Sequence, residues 1–283
     1  MEINGRSLVT GVFGYPVSHS LSPVFQNAAF SHMGLNFVYV PFEVAPLDLG
    51  SALEAVRALN IRGINLTIPH KIETSKYLDG VSEESGILGV VNTVINENGR
   101  LLGDITDGKG FIRSITEDGG FEPEGARVML MGAGGSSYAI SGALVNRGIK
   151  SLFICNRTEN NSLRLKKHLS EKIGFDKVHI IPFRDRNRFD FKGEVDLLVN
   201  TTSIGMKPGD LPVIDEDKIP GLRFVYDIVY NRVTELITAS RKNRIPCLGG
   251  ISMLVYQGAV SFELWTGKKA PVEVMKKSLP SIE

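Results

Sequence analysis

Three observations predict a two-domain α/β fold. Val128-Met129-Leu130-Met131 is a strand-length apolar run that turns through Gly132-Ala133-Gly134-Gly135 into a helix expected from Ala139 to Arg147. Apolar strand-like runs alternate with helix-periodic segments on both sides of it. The 283 residues suffice for about two domains.

The glycine turn is the organising stretch. Glycine torsions allow the turn, small residues let backbone approach a pyrophosphate, and a helix N-terminus offers unpaired N–H groups at the positive end of its dipole. Gly132, Gly134 and Ser137 take the three places of the dinucleotide fingerprint, and Ser136 lies within it. An ordinary βα turn carries glycines too; the placement between strand and helix favours a Rossmann-type nucleotide site.

Composition narrows the field. Apolar residues make up 42% and charged residues 22%, the balance of a globular protein with a large core. A formal charge of +1 gives no electrostatic case for nucleic acid or an anionic membrane. There is no apolar run of roughly 18 residues, and Glu2, Asn4 and Arg6 stand where a signal peptide needs apolar residues. Cys155 and Cys247 lie far apart, and the five histidines show no ligand spacing. The expectation is a cytoplasmic protein without a metal.

In chain order, Leu8–Gly14 reads as a first strand, followed by a hydroxyl-rich loop. Ser22-Pro23 is a helix start, with Ser at the N-cap and Pro at the first helical place. Ser20 and Ser22 then stand beside a positive helix end, suited to a carboxylate; Ser22 as a simple cap explains the same residues. Asn36–Glu43 alternates as a strand and Leu47–Leu59 is helical. From Ile64 to Ile68 the apolar side chains share one strand face, and Asn65 and Thr67 share the other. Pro69-His70-Lys71 closes this strand and puts a lysine at its exit. Leu88–Ile95 reads as an apolar strand containing Asn92, and Asn98-Gly99 as a hairpin turn. Asp107 is placed as the N-cap of a helix carrying Phe111, Ile112 and Ile115 on one side.

Beyond the glycine turn, Ser151–Cys155 is a strand ending in Asn156-Arg157-Thr158. An NAD site usually has Asp or Glu there; Arg157 and Thr158 instead suit a 2′-phosphate, which favours NADP with NAD as the alternative. Leu163–Ile173 is a basic amphipathic helix, and Arg184–Arg188 an exposed loop. Val178–Pro182, Val195–Val199 and Phe224–Val229 are strands, with Tyr230 closing the last. A helix runs from Ser252 to Trp265, with Gln257 a polar residue among apolar ones.

Several of these segments together resemble the shikimate dehydrogenase family, including its members that accept quinate. They are Ser18-His19-Ser20-Leu21-Ser22-Pro23, Asn65-Leu66-Thr67-Ile68-Pro69-His70-Lys71, Val91-Asn92-Thr93 and Thr106-Asp107-Gly108. The later ones are Gly132–Gly135, Asn156–Thr158 and Gly250-Ile251-Ser252-Met253-Leu254-Val255-Tyr256-Gln257. The resemblance implies reversible NADP-dependent reduction of 3-dehydroshikimate to shikimate, a step toward chorismate and the aromatic amino acids. It implies proton transfer by Lys71 and Asp107 and substrate binding by Ser20, Ser22, Thr67, Asn92, Tyr230 and Gln257. It implies cofactor binding by Gly132, Ala133, Gly134, Gly135, Ser136, Asn156, Arg157 and Thr158, with Ile228 and Gly250 lining the nicotinamide.

The domains it implies are a discontinuous α/β substrate domain, 1–107 with 250–283, completed by C-terminal helices, and a Rossmann domain, 108–249. The active site is expected in the cleft between them, in a monomer or homodimer whose partners are small molecules. Two positions depart from the family pattern: Ile105 stands for Asn, and Tyr138 for Arg. Other readings are a quinate/shikimate dehydrogenase using NAD or NADP, a methylenetetrahydrofolate dehydrogenase, and a catalytically silent nucleotide sensor. Retention of both Lys71 and Asp107 opposes the last two.

Overall fold

The computed structural model describes residues 3–280. Contacts divide them into two compact units, one of residues up to Gly110 with Val255–Pro280, the other of Phe111–Leu254. The sequence reading sets the breaks at 107/108 and 249/250; its residues 1, 2 and 281–283 lie outside the described residues.

The first unit holds β1 (Leu8–Gly14), α1 (Ser22–His32), β2 (Phe37–Glu43), α2 (Leu49–Ala58), β3 (Gly63–Leu66), β4 (Gly80–Val81), α3 (Glu83–Leu88), β5 (Thr93–Glu97) and β6 (Arg100–Asp104). α4 (Asp107–Arg113) begins there. Its sheet runs β2-β1-β3-β5-β6-β4. β1 pairs in parallel with β2 and β3, whereas β5 is antiparallel to both neighbours. Leu53, Val56, Ile64, Leu66, Val94 and Leu101 fill one core beneath it.

Three local expectations change here. Leu88 ends a helix instead of starting a strand: Ser82 Oγ caps α3 by accepting from Ser85 N–H at 3.3 Å, and Gly89 ends it at φ 67°. The apolar run after Gly89 could not by itself separate helix from strand, and β5 begins only at Thr93. β3 stops at Leu66, so Ile68 is 76% exposed and shares no buried face with Ile64. The N-cap of α1 is Leu21, with Ser22 already helical; Ser20 Oγ accepts from Ser22 N–H at 3.3 Å. The Asn98-Gly99 turn takes positive φ at both residues, as a tight hairpin requires.

The second unit holds β7 (Arg127–Met131), α5 (Gly135–Asn146), β8 (Ser151–Asn156), α6 (Glu159–His168), β9 (Val178–Pro182), β10 (Leu197–Asn200), β11 (Phe224–Asp227), α7 (Glu235–Lys242) and β12 (Cys247–Leu248). α8 (Ile251–Thr266) starts there and ends in the first unit, which also takes α9 (Val272–Lys277). All strands of the sheet β12-β11-β10-β7-β8-β9 are parallel. Read from β9, this is the doubly wound order 3-2-1-4-5-6. Val128, Leu130 and Leu197 face one core, and Met129, Met131 and Leu198 the other. Burial on both faces explains runs that are apolar throughout instead of alternating.

α5 starts at Gly135, four residues before the expected Ala139, so Gly134 is its N-cap and Gly135 its first residue. α6 likewise starts at Glu159, ahead of the expected Leu163, and Phe183–Asp185 forms a short helical turn where only loop is expected. Among the described residues no helix is long and apolar enough to cross a membrane.

Candidate active site

Lys71 lies in the turn after β3, and Asp107 is the first residue of α4, where the helix dipole favours a carboxylate. Lys71 Nζ donates to Asp107 Oδ2 at 2.5 Å. The other carboxylate oxygen accepts from Asn92 Nδ2 at 2.7 Å. Asn92 is held in turn: its Oδ1 accepts from Thr106 N–H at 2.8 Å, and its own N–H donates to Asp104 O at 3.1 Å. Asp107 is 4% exposed, so the ion pair is sheltered on its acid side.

Gln257 joins this group from α8, with Oε1 at 3.4 Å from both Asn92 Nδ2 and Thr106 Oγ1. Behind them stands Asn65 on β3. Its Nδ2 donates to Ser261 Oγ at 2.9 Å and Thr93 Oγ1 at 3.0 Å, and its Oδ1 accepts from Tyr39 OH at 2.8 Å. Burial pushes the Tyr39 hydroxyl far above the usual tyrosine range, and Ser22 on α1 opposes that rise. Thr67, half-buried after β3, donates its N–H to Phe13 O at 2.9 Å. A Cβ at Gly14 would lie 2.5 Å from its methyl group, so this glycine makes room for Thr67.

In the second unit the glycine turn is built from backbone. Gly132 has φ 113°, and a Cβ there would sit 2.4 Å from Thr201 Oγ1. At Gly134 and Gly135 an added Cβ meets nothing within 4 Å, which leaves the helix N-terminus open. Ser137 Oγ accepts from Gly134 N–H at 3.0 Å and pairs with Thr201 Oγ1 at 2.8 Å. Ala133 is buried and Ser136 half-buried beside them. At the end of β8, Asn156 Nδ2 donates to Thr158 O at 2.9 Å, and Arg157 and Thr158 are exposed.

Ile228 and Gly250, far apart in sequence, meet: a Cβ on Gly250 would lie 2.0 Å from Ile228 O. Tyr230 is half-buried just past β11, and burial raises its hydroxyl pKa. Asp227, fully buried, accepts from Asn200 Nδ2 at 3.0 Å, Val229 N–H at 3.0 Å and Thr234 Oγ1 at 2.7 Å. Burial still pushes its carboxyl up to about 6.

Lys71, Asp107, Asn92 and Gln257 therefore come together within one unit, and the glycine turn, Arg157, Ile228, Gly250 and Tyr230 belong to the other. The sequence motifs include Thr93 and Thr106 without a role and do not reach Ser261; all three are buried hydroxyls in the Asn92 network. Ser261 was findable, because it lies one helical turn past Gln257 on the same face. The two departures are both accommodated: Ile105 is buried, and Tyr138 packs edge-on against His168 at 5.0 Å.

Two family models match this chain. One described as the shikimate dehydrogenase substrate binding domain covers residues 12–94, and one described as the shikimate 5'-dehydrogenase C-terminal domain covers 250–279. A relative from Desulforamulus reducens named shikimate dehydrogenase (NADP(+)) is 39% identical over 281 residues, covering 98% of this chain and 96% of its own. The crystal structure of a shikimate dehydrogenase in complex with NADP+ aligns with TM-score 0.91 at 37% identity, over 98% of this chain and 96% of that one. A shikimate 5-dehydrogenase from Listeria monocytogenes in complex with shikimate and NAD aligns at TM-score 0.89 and 34% identity, over 98% of each chain. With the geometry and the full-length identity in agreement, this chain belongs to the shikimate dehydrogenase family.

Proposed function

We propose that this chain catalyses the reversible NADP-linked reduction of 3-dehydroshikimate to shikimate. The observation that carries the proposal is the Lys71–Asp107 ion pair, held at 2.5 Å among amide and hydroxyl groups. Oxidising a ring alcohol removes a hydride from carbon and a proton from oxygen. NADP, when bound, takes up or supplies the hydride. The proton falls to Lys71 and Asp107: in the reducing direction the Lys71 ammonium gives a proton to the carbonyl oxygen as it becomes an alkoxide. Asp107 fixes that ammonium in place and offsets its charge. In the oxidising direction the same pair receives the hydroxyl proton.

Ser20 and Ser22 are assigned to the substrate carboxylate, and Thr67, Asn92, Gln257 and Tyr230 to its hydroxyl and keto oxygens. Amides that both donate and accept suit a polyol. The cofactor fits the second unit on two grounds. Gly134 and Gly135 leave open space at the start of α5, where the first N–H groups have no intrahelical acceptor. Arg157 and Thr158 stand exposed at the end of β8, where a ribose 2′-phosphate would be met. Domain roles follow: a substrate domain of the first unit and a Rossmann domain of the second. Two free cysteines suit the reducing cytoplasm.

The test is formation of the reduced nicotinamide by the purified enzyme, with shikimate and with quinate, and with NADP and with NAD. Shikimate with NADP should give the highest kcat/KM of the combinations. Absence of turnover with shikimate, or a higher kcat/KM for quinate, would overturn the assignment.

A further inference from the structure

The turn of α8 that carries Gln257 is pinned from three directions, all within one unit. At Gly258 an added Cβ would meet Phe25 ring atoms at 2.4 and 2.6 Å, and Gly258 O accepts from Gln26 Nε2 at 2.8 Å. Both partners lie on α1, the helix of Ser22. At Gly110, one turn along α4 from Asp107, a Cβ would lie 2.5 Å from Gln257 N and 2.7 Å from its Cα. Backbone packs directly on backbone there. One turn past Gln257, buried Ser261 is held by Asn65 Nδ2 and Thr93 Oγ1, each at 2.9 Å.

We propose that Gly110, Gly258 and the Asn65–Ser261 pair are positioning residues for the reaction: together they clamp α8 so that Gln257 and Asp107 keep one fixed spacing. The proposal rests on the function assigned above. Helices separated by ordinary side chains pack with axes roughly 8–10 Å apart. A glycine facing backbone brings them closer, and any Cβ must push the two apart. Close-packed interiors transmit such a push instead of absorbing it.

The Asn65 node gives the second argument. Both Nδ2 protons and the Oδ1 acceptor of this buried amide have partners. An apolar side chain would fill the same place without the cost of desolvating an amide. A saturated polar node instead fixes one arrangement of the elements it joins: β2 through Tyr39, β5 through Thr93 and α8 through Ser261. Gln257 Oε1 sits at 3.4 Å from Asn92 and Thr106, so a small shift of α8 breaks its alignment with the group around Asp107.

The experiment compares steady-state kinetics and melting temperature of the wild type, Gly110→Ala, Ser261→Ala, Gln257→Ala, and each of the first two combined with Gln257→Ala. Gly110→Ala should raise the shikimate KM on the order of tenfold and lower kcat, within the ~10²-fold that an ångström of misplacement can cost. Ser261→Ala should act in the same direction by roughly threefold, and the KM for NADP should stay within about twofold in both. In the Gln257→Ala background each should add little, because residues that act through one another are not additive. Losses of equal size with and without Gln257, or an unchanged shikimate KM in folded variants, would overturn the clamp. Should Gly110→Ala fail to fold, the Ser261 cycle decides alone. No NADPH from the wild type with shikimate would sink the assigned function, and the clamp would then be judged by the same cycle in melting temperature, where strictly additive losses with Gln257→Ala would overturn it.

Discussion

The sites proposed in the two units are built by different means. Around Lys71, side chains lock side chains: Asp107 is held by Lys71 and Asn92, Asn92 by Thr106, and Asn65 by partners on three elements. Around Gly134 the work is done by backbone torsions and a helix end, with open space in front and an exposed arginine to the side. Their ligands ask for different things. A ring polyol must be met by donors and acceptors at fixed points, and each group removed orphans another. A pyrophosphate needs N–H groups and room to approach, which glycine supplies without any partner.

The largest effect should come from the interlocked side. Lys71→Ala is expected to lower kcat by roughly 10²–10⁴ fold, the usual loss when general acid–base catalysis is removed. Combined with Asp107→Ala, the loss should fall well short of the product of the single losses. Strictly multiplicative losses would mean that the two groups act separately, and the contrast between the units would lose its main support.

The second unit also holds a buried carboxylate locked by hydrogen bonds, Asp227 at the end of β11. Its folded pKa of about 6 lies above its ordinary value of 3.8, so the folded state penalises the charged form. Stability from this group is therefore fully present below pH 3.8 and is lost as pH rises through about 6. Asp227→Asn should stabilise the protein at pH 8 by up to about 3 kcal/mol, with the gain gone by about pH 4. Chemical denaturation at the two pH values measures it. A gain independent of pH would show that Asp227 stays neutral or that its hydrogen bonds dominate.

The smallest effect should be at Arg157. Removing its guanidinium should lower kcat/KM for NADP by roughly tenfold, about 1.4 kcal/mol, and leave NAD nearly unchanged. Glu159, two residues on, weakens the local positive field and keeps the effect modest. Equal losses for both cofactors would place Arg157 outside phosphate recognition.

What the sequence made legible follows from range. The strand Leu8–Gly14 and the hairpin at Asn98-Gly99 were readable because apolar pattern and turn chemistry are local. Lys71, Asp107 and Asn92 were readable as a set through their motifs, and they do meet. α3 was misread because the apolar run Leu88–Ile95 hides a helix end; the Ser82 cap and Gly89 were the signal that mattered. α7 is marked in the sequence by Thr234, which accepts from Ile237 N–H as an N-cap should. The places of Asn65, Gly110 and Gly258 could not be read locally at all. Asn65 and Gly110 are defined by partners on α8, and Gly258, on α8 itself, by partners on α1, between about 150 and 230 residues away in sequence.

The return of α8 to the first unit also sets an order of assembly. Trp265 Nε1 donates to Val94 O at 3.0 Å and packs where only Gly63 leaves room. The sheet of β1, β3 and β5 therefore lacks a wall of its core until α8 has been synthesised. The second unit, continuous from Phe111 to Leu254, has no such wait. At ~5–20 residues per second the ribosome spends on the order of ten seconds making it. During that time the early strands are exposed with their edges and apolar faces incompletely covered, the condition under which strands pair with other chains.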